Sequence, residues 1–371
     1  MLEIQTEIKG HTGFISLNRP KALNALNLPM IRALTVQLLA WKDDAAVKQI
    51  AIRGMSKPAA DGSEVPFGSF CAGGDIRFFH QAALSGSPEL EDFFTEEYSL
   101  NHLVAHYPKP YIAFMDGIVM GGGMGLSQGG SHRIVTERTK MAMPETGIGL
   151  FPDVGGGYFL SRCPGSVGEY LALTGAVIGA DDAVAYGLAA IQVASTELTQ
   201  LWESLATKEI YSIATNKIAK NSINTSAIDE INSFFSLLTV LEMIKALEAA
   251  NSAWAQQAAK TLRSRSPLML HVVLEQIRRG RHLNLTQNLQ MERGMVRHCF
   301  YTAHLSRFGA NSETVEGIRA LAVDKDHQPR WNPPRIEDVT KEMVAPFFVS
   351  PWPDFAHPLA HLRHLTHLSK V

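Results

Sequence analysis

The chain has 371 residues, 46% of them apolar and 19% charged, enough for one large domain or two ordinary ones with a full hydrophobic core. Lys and Arg total 34 against 36 Asp and Glu, a net charge of −2, which argues against bulk nucleic-acid binding. Cys71, Cys163 and Cys299 show no C-x-x-C spacing, and the acid-bearing N-terminus has neither an apolar signal region nor the make-up of an Arg/Ser-rich transit peptide; with no run of about 18 apolar residues to span a membrane, the expectation is a cytoplasmic protein.

Gly13–Leu17 alternates apolar and polar residues, as a strand does. Asn27 followed by Pro29 opens a helix, in which Ile31, Leu34, Leu38 and Trp41 recur at helical spacing. Val47–Arg53 reads as the next strand, and residues 54–70, rich in Gly, Pro, Ser and Asp, as a loop. A helix is predicted near 88–106, then short strands at Tyr111–Met115 and His132–Thr136. This alternation up to about residue 200 implies an α/β architecture. From 199 to 305 the patterns are helical, with Ser266-Pro267 starting a helix that carries Leu270, Val273, Leu274 and Ile277. Residues 326–334 are irregular. The reading is therefore a core over 1–200, a helical region over 201–340 and a His-rich tail over 341–371. In the tail His357, His361, His364 and His367 run parallel to Leu359, Leu362, Leu365 and Leu368, with no cysteine or acid interleaved. An amphipathic docking helix is favoured there over a metal site, and no metal is expected.

Two glycine-rich loops, Phe70–Arg77 and Met115–Ser127, let backbone approach closely, and the second opens a helix whose N-terminus offers free N–H groups. Two such donors make an oxyanion hole; the alternative is that these glycines serve only turns and helix packing. A dinucleotide fingerprint is a poor match, since counted from Gly121 position 126 is Leu and counted from Gly155 position 160 is Leu, and no P-loop lysine follows either glycine cluster. Gly125-Leu-Ser127-Gln-Gly129 satisfies G-x-S-x-G literally, but Ser127 falls about two turns into the helix and not on the sharp elbow a nucleophile needs. The segment Met143–Gly157 places Glu145 and Asp153 in a run otherwise made mostly of apolar residues, glycine and proline. Such surroundings perturb carboxylates and suggest an acid/base pair; the alternative is a helix-capping Glu145 and an exposed turn at Asp153.

Three stretches resemble the crotonase (enoyl-CoA hydratase/isomerase) superfamily: Leu17–Leu26, Phe70–Asp75 and Asp116–Gly123. Pro144–Arg162, Glu96–Asn101 and Glu316–Asp326 are similar to the branch of that superfamily that hydrolyses short 3-hydroxyacyl-CoA thioesters. The resemblance spans roughly residues 3–340 and implies a spiral of strand–strand–helix (ββα) turns closed by a C-terminal helical region. It implies an acyl-CoA substrate, with hydroxyisobutyryl and hydroxypropionyl groups as candidates and valine breakdown as the setting. Coenzyme A is then part of the substrate, and no separate cofactor is expected. Carried over by position, the N–H groups of Gly74 and Gly122 form the oxyanion hole. Lys21, Ala22, Leu23, Asp75 and Ile76 line the CoA, Glu97 contacts substrate, and Glu145 and Asp153 are the essential carboxylates. One glutamate of a two-glutamate hydratase would match Glu145; the other would fall at Gly125, which has no side chain. The competing readings are a hydratase or isomerase of the same fold and a non-catalytic acyl-CoA-binding protein. The resemblance also allows a homotrimer or hexamer.

Overall fold

The computed structural model describes residues 2–63, 65–214 and 225–365. Strand β2 (Thr12–Leu17) is buried at every position, as a strand covered on both faces must be. It pairs antiparallel with β1 (Ile4–Lys9) and parallel with β3 (Gln49–Gly54). β4 (Tyr111–Met115), β6 (His132–Val135) and β8 (Ile191–Gln192) extend the sheet in parallel, in the order β1-β2-β3-β4-β6-β8. β5 (Ile118–Met120) and β7 (Lys140–Ala142) pair parallel with each other in a second, small sheet. The chain thus steps from the large sheet to the small one twice, β4 to β5 and β6 to β7. After β5 it enters helix α4 (Gly122–Gln128), which completes one strand–strand–helix turn of a spiral. Single bridges at Leu26–Gly74, Cys71–Val119 and Met141–Ile178 lengthen the small layer.

The chain forms two compact units, each drawn from three stretches. The first comprises Met1–Gly74, Ser99–Ala142 and Val177–Ile223, the second Asp75–Tyr98, Met143–Ala176 and Asn224–Val371. This division does not follow the cut near residue 200 that composition suggests. Residues 75–98 and 143–176 belong with the C-terminal helices, and 201–214 belong with the sheet.

In the first unit α1 (Leu28–Lys42) starts where the sequence places it, with the Asn27 side chain accepting the Met30 N–H at 2.9 Å. It buries Ile31, Leu34, Leu38 and Trp41. Helices α7 (Ala180–Ala185), α8 (Leu198–Ser204) and α9 (Ile210–Ala214) belong to the same unit. Phe14 and Phe114 reach Trp202 of α8 at ring distances of 4.7 and 5.2 Å, and the Arg53 guanidinium lies 4.3 Å above the same indole.

The second unit holds α2 (Ile76–Ser85), the first ten residues of α3 (Glu89–Ala105), α5 (Gly156–Leu160) and α6 (Val167–Thr174). It continues through α10 (Thr225–Phe235), α11 (Val240–Ala249), α12 (Ala253–Ser264), α13 (Pro267–Gly280), α14 (Leu285–Phe300) and α15 (Glu313–Ile318). Ser266 caps α13 by accepting the Met269 N–H at 3.1 Å. Phe79, Phe93, Phe94 and Phe300 pack ring on ring, at 4.7 Å for Phe79–Phe93 and 5.7 Å for Phe94–Phe300.

The helix expected to run through the tail is not formed over 357–361. A helix begins only at Leu362, and His357 and Leu359 lie in the turn before it. The His357 Nε2 is 3.1 Å from the Gln290 carbonyl and Gln290 Nε2 donates to the Leu359 carbonyl at 2.9 Å. These contacts on α14 hold the segment, and Leu359 and Leu362 of the expected apolar stripe are buried. His367 and Leu368 lie outside the described residues.

Helix α4 approaches the first glycine loop so closely that a Cβ on Gly123 would sit 2.4 Å from the Cys71 carbonyl oxygen. Backbone cannot yield as a flexible side chain can. Gly123→Ala is expected to destabilise the protein by about 1–3 kcal/mol, read as a lower urea midpoint.

Candidate active site

The first unit brings the two glycine loops together, backbone to backbone. Gly73 has φ +104°, and a Cβ there would lie 3.5 Å from the Gly122 nitrogen. Gly121, with φ +48°, turns the chain into α4, so Gly122 is the first helical residue. Its N–H has no acceptor within the helix. The Lys21-Ala22-Leu23 stretch is tied to the first loop: the Ala72 N–H donates to the Leu23 carbonyl at 3.0 Å, and the Leu26 N–H to the Gly73 carbonyl at 2.7 Å. Leu23 and Asn24 both sit at positive φ, 51° and 57°. The buried Asn24 side chain accepts the Arg19 N–H at 2.8 Å and donates to the Met55 and Ser69 carbonyls at 3.0 and 2.7 Å. Gly74, Gly122, Lys21, Ala22 and Leu23 therefore belong to one interlocked set of loops. Ser127 lies inside α4 with its hydroxyl donating to the Gly123 carbonyl at 2.9 Å; it is a helix-face serine, as its position in the helix suggests.

Asp75 and Ile76 open the second unit. Asp75 caps α2 through the Phe78 N–H at 3.4 Å, and Ile76 is the first residue of that helix.

The same unit gathers the predicted carboxylates. Glu145 starts a single 3-10 turn (Glu145–Ile148), Asp153 lies in the turn before α5, and Glu97 lies on α3. All three are buried, at 7, 6 and 2% exposure. Among the described residues no Lys or Arg is paired with any of them. Asp153 accepts from the Tyr98 hydroxyl at 2.8 Å, whereas Glu145 Oε2 and Glu97 Oε1 have no hydrogen-bond partner. Burial, helped by the Asp153 charge, pushes Glu145 well above the usual carboxylate range. Burial and then the charges of Asp153 and Glu145 do the same to Glu97. Burial raises Asp153 to about 7, opposed by the Tyr98 hydroxyl. The cause is legible in the packing: Tyr98 borders the phenylalanine cluster, 6.1 Å from Phe94. Three like groups in such surroundings cannot all ionise at neutral pH, so the cluster holds protons and can give or take one.

Sequence reasoning missed Tyr98 and Glu292. Tyr98 adjoins Glu97 in the motif already noted. Glu292 carries a clear signal: Leu285, Leu289, Val296 and Cys299 mark the inner face of α14, and position 292 falls on that face. An acid there is buried without exposure and must be satisfied.

Comparison with known proteins matches residues 12–348 to the family model described as Enoyl-CoA hydratase/isomerase. The chain belongs to the enoyl-CoA hydratase/isomerase family. Within that family it is 39% identical over 361 residues to the human protein named 3-hydroxyisobutyryl-CoA hydrolase, mitochondrial, covering 94% of this chain and 89% of the relative. It is 38% identical to the Xenopus tropicalis protein of the same name, covering 92% and 87%. Among solved structures, a carnitinyl-CoA dehydratase from Mycobacterium thermoresistibile superposes with TM-score 0.84 at 34% identity, covering 95% of this chain and 98% of the other. An enoyl-CoA hydratase from Rhodobacter sphaeroides 2.4.1 gives 0.82 at 33%, covering 94% and 98%. The crotonase fold, with its C-terminal helical region, is thus the fold of this family member. Among the described residues no helix is long and apolar enough to cross a membrane.

The raised Asp153 has a consequence for stability. Its folded value of about 7 lies above the ordinary 3.8, so the fold favours the neutral form. Its stabilising contribution is present below pH about 4 and is lost as pH climbs through about 7. Asp153→Asn removes that loss. Its thermal midpoint should exceed wild type at pH 8 by roughly 2–4 °C per kcal/mol recovered, with the gap closing towards pH 4.

Proposed function

We propose that this protein hydrolyses a short 3-hydroxyacyl-CoA thioester, 3-hydroxyisobutyryl-CoA or 3-hydroxypropionyl-CoA, to the free acid and CoA in valine breakdown. The observation that carries the reading is the buried cluster of Glu145, Asp153 and Glu97 in a chain whose residue 125 is glycine. A two-glutamate hydration needs a second carboxylate at 125, and here the second carboxylate stands at 153. The names of the curated relatives support the same reaction, whereas the two solved structures carry dehydratase and hydratase names. Residue 125 favours the former.

In this reading the thioester oxygen accepts from the Gly74 and Gly122 N–H groups, which stabilise the oxyanion of the tetrahedral intermediate. One such donor is worth about 3–4 kcal/mol of barrier. Glu145, in its carboxylate form, attacks the carbonyl carbon to give a mixed anhydride and expel the CoA thiolate, after which water cleaves the anhydride to the free acid and regenerates Glu145; or the carboxylate takes a proton from a water that attacks the thioester directly. Asp153 orients the 3-hydroxyl or carries the proton to the leaving sulfur. Glu97 contacts the acyl group, and Lys21, Ala22, Leu23, Asp75 and Ile76 line the CoA. No cofactor is required beyond the CoA of the substrate, and neither nucleic acid nor a membrane is a partner. Assembly as a homotrimer or hexamer is part of the proposal. So is a cytoplasmic location, in keeping with three buried cysteines that form no disulfide among the described residues; the curated relatives are named as mitochondrial.

Free-thiol release from 3-hydroxyisobutyryl-CoA, run beside crotonyl-CoA hydration, tests the reaction. Rapid release without hydration is expected, and hydration without release overturns it. Absence of both across a thioester panel would favour a binding protein. Glu145→Gln and Asp153→Asn should each lower kcat by about 10²–10⁴-fold while the circular dichroism spectrum is retained. A single turnover in oxygen-18 water tests the covalent role of Glu145: label in the Glu145 side chain marks an anhydride opened at the Glu145 carbonyl, whereas label in the product acid alone marks attack of water on the acyl carbon, directly or on the anhydride.

A further inference from the structure

Asp153 stands on an unusual piece of backbone. Val154 has φ +53° and Gly155 φ +91°, and a β-branched residue in the left-handed region persists only when its surroundings enforce it. The enforcing group is on α14. Glu292, fully buried, accepts the Gly155 N–H through Oε2 at 2.7 Å and the Gly157 N–H through Oε1 at 2.9 Å. The same Oε1 accepts Gln276 Nε2 at 3.0 Å and Asn288 Nδ2 at 2.7 Å. Gln276 Nε2 also donates to the Pro152 carbonyl at 2.7 Å. The turn is therefore held on both sides of Asp153, at 152 before it and at 155 and 157 after it. The approach is tight: a Cβ on Gly157 would lie 2.6 Å from Asn288 Oδ1. The next residue of α14, Arg293, is itself buried and donates to Glu91 at 2.5 Å and Thr95 at 2.9 Å on α3. That helix also presents Tyr98, the hydrogen-bond donor to Asp153. Two consecutive residues of α14 thus grip the Asp153 turn and the helix that carries its donor.

We infer that Glu292 is a positioning residue for the Asp153 carboxylate, holding the strained turn so that Asp153 meets the Tyr98 hydroxyl and the substrate in one orientation. The inference rests on the proposed role of Asp153. It takes Glu292 to act through Asp153 and to touch no substrate itself. A buried carboxylate of purely structural use would also satisfy four donors, so the test must separate the two.

Glu292→Gln keeps the shape but turns a donor towards N–H groups. Amide hydrogen exchange at Gly155 and Gly157 should quicken. With 3-hydroxyisobutyryl-CoA, kcat should fall about 10–100-fold, the scale of an ångström of misplacement, while KM stays within about threefold. In an Asp153→Asn background the same change should slow the residual turnover no further. Quickened exchange with unchanged kcat, or an equal loss in the Asp153→Asn background, overturns the inference. Gln276→Ala, which releases the Pro152 carbonyl and one donor to Glu292, provides a milder variant expected to move the same readouts in the same direction. Wild-type protein that releases no thiol sinks the functional reading instead. In that event quickened exchange still upholds the grip of Glu292 on the turn, and unchanged exchange overturns it.

Discussion

Burial of three carboxylates with no paired cation among the described residues is the constraint on which the rest of the second unit depends. An isolated ionised carboxylate in such a setting is strongly disfavoured, so the unit must either protonate the group or supply hydrogen-bond donors. It does both. Glu97 and Glu145 are driven towards their neutral forms by burial and by mutual repulsion. Asp153 keeps a hydroxyl donor, and Glu292 keeps four N–H donors. The phenylalanines of α2, α3 and α14 supply the dry wall that makes the arrangement both costly and chemically useful.

The glycine loops of the first unit work by the opposite means. Their polar groups are backbone N–H donors placed by close approach of main chains, with Gly73, Gly121 and Gly123 chosen for conformation or for lack of a Cβ. Donors of this kind have no side chain to reorient and no charge to desolvate. In this chain position 125, inside α4, is glycine, and the buried carboxylate is at position 153.

Much of this was legible in the amino-acid sequence, and for reasons that can be stated. Asn27 and Ser266 announced their helices because capping is local chemistry between a side chain and an N–H three residues on. The glycine loops and the Met143–Gly157 segment stood out because glycine and charge are both conspicuous in apolar runs. Strands β1, β7 and β8 were not foreseen. β1 is almost wholly exposed and gains its place from backbone pairing with β2, while the others are two or three residues long, too short to show a period. The grouping of residues 75–98 and 143–176 with the late helices was hidden because it depends on long-range pairs such as Arg293 with Glu91 and Glu292 with Gly155. In the tail the spacing foretold the burial of Leu359 and Leu362, while the contacts with Gln290 replace helix at His357 and Leu359.

The interleaved make-up of the second unit has a consequence for biosynthesis. Asp153 leaves the ribosome about 140 residues before Glu292, an interval on the order of 10 s at about 5–20 residues per second. Throughout it the turn lacks the carboxylate that holds it, and Glu97, Tyr98, Glu145 and Asp153 are hydrated, ordinary side chains. The dry, proton-holding cluster can come into being only once α14 has been made and docked on α3 and α5. A nascent chain is therefore a chain without the buried carboxylate cluster, and a ribosome that stalls before residue 292 yields a protein with its glycine loops encoded and its carboxylates untuned.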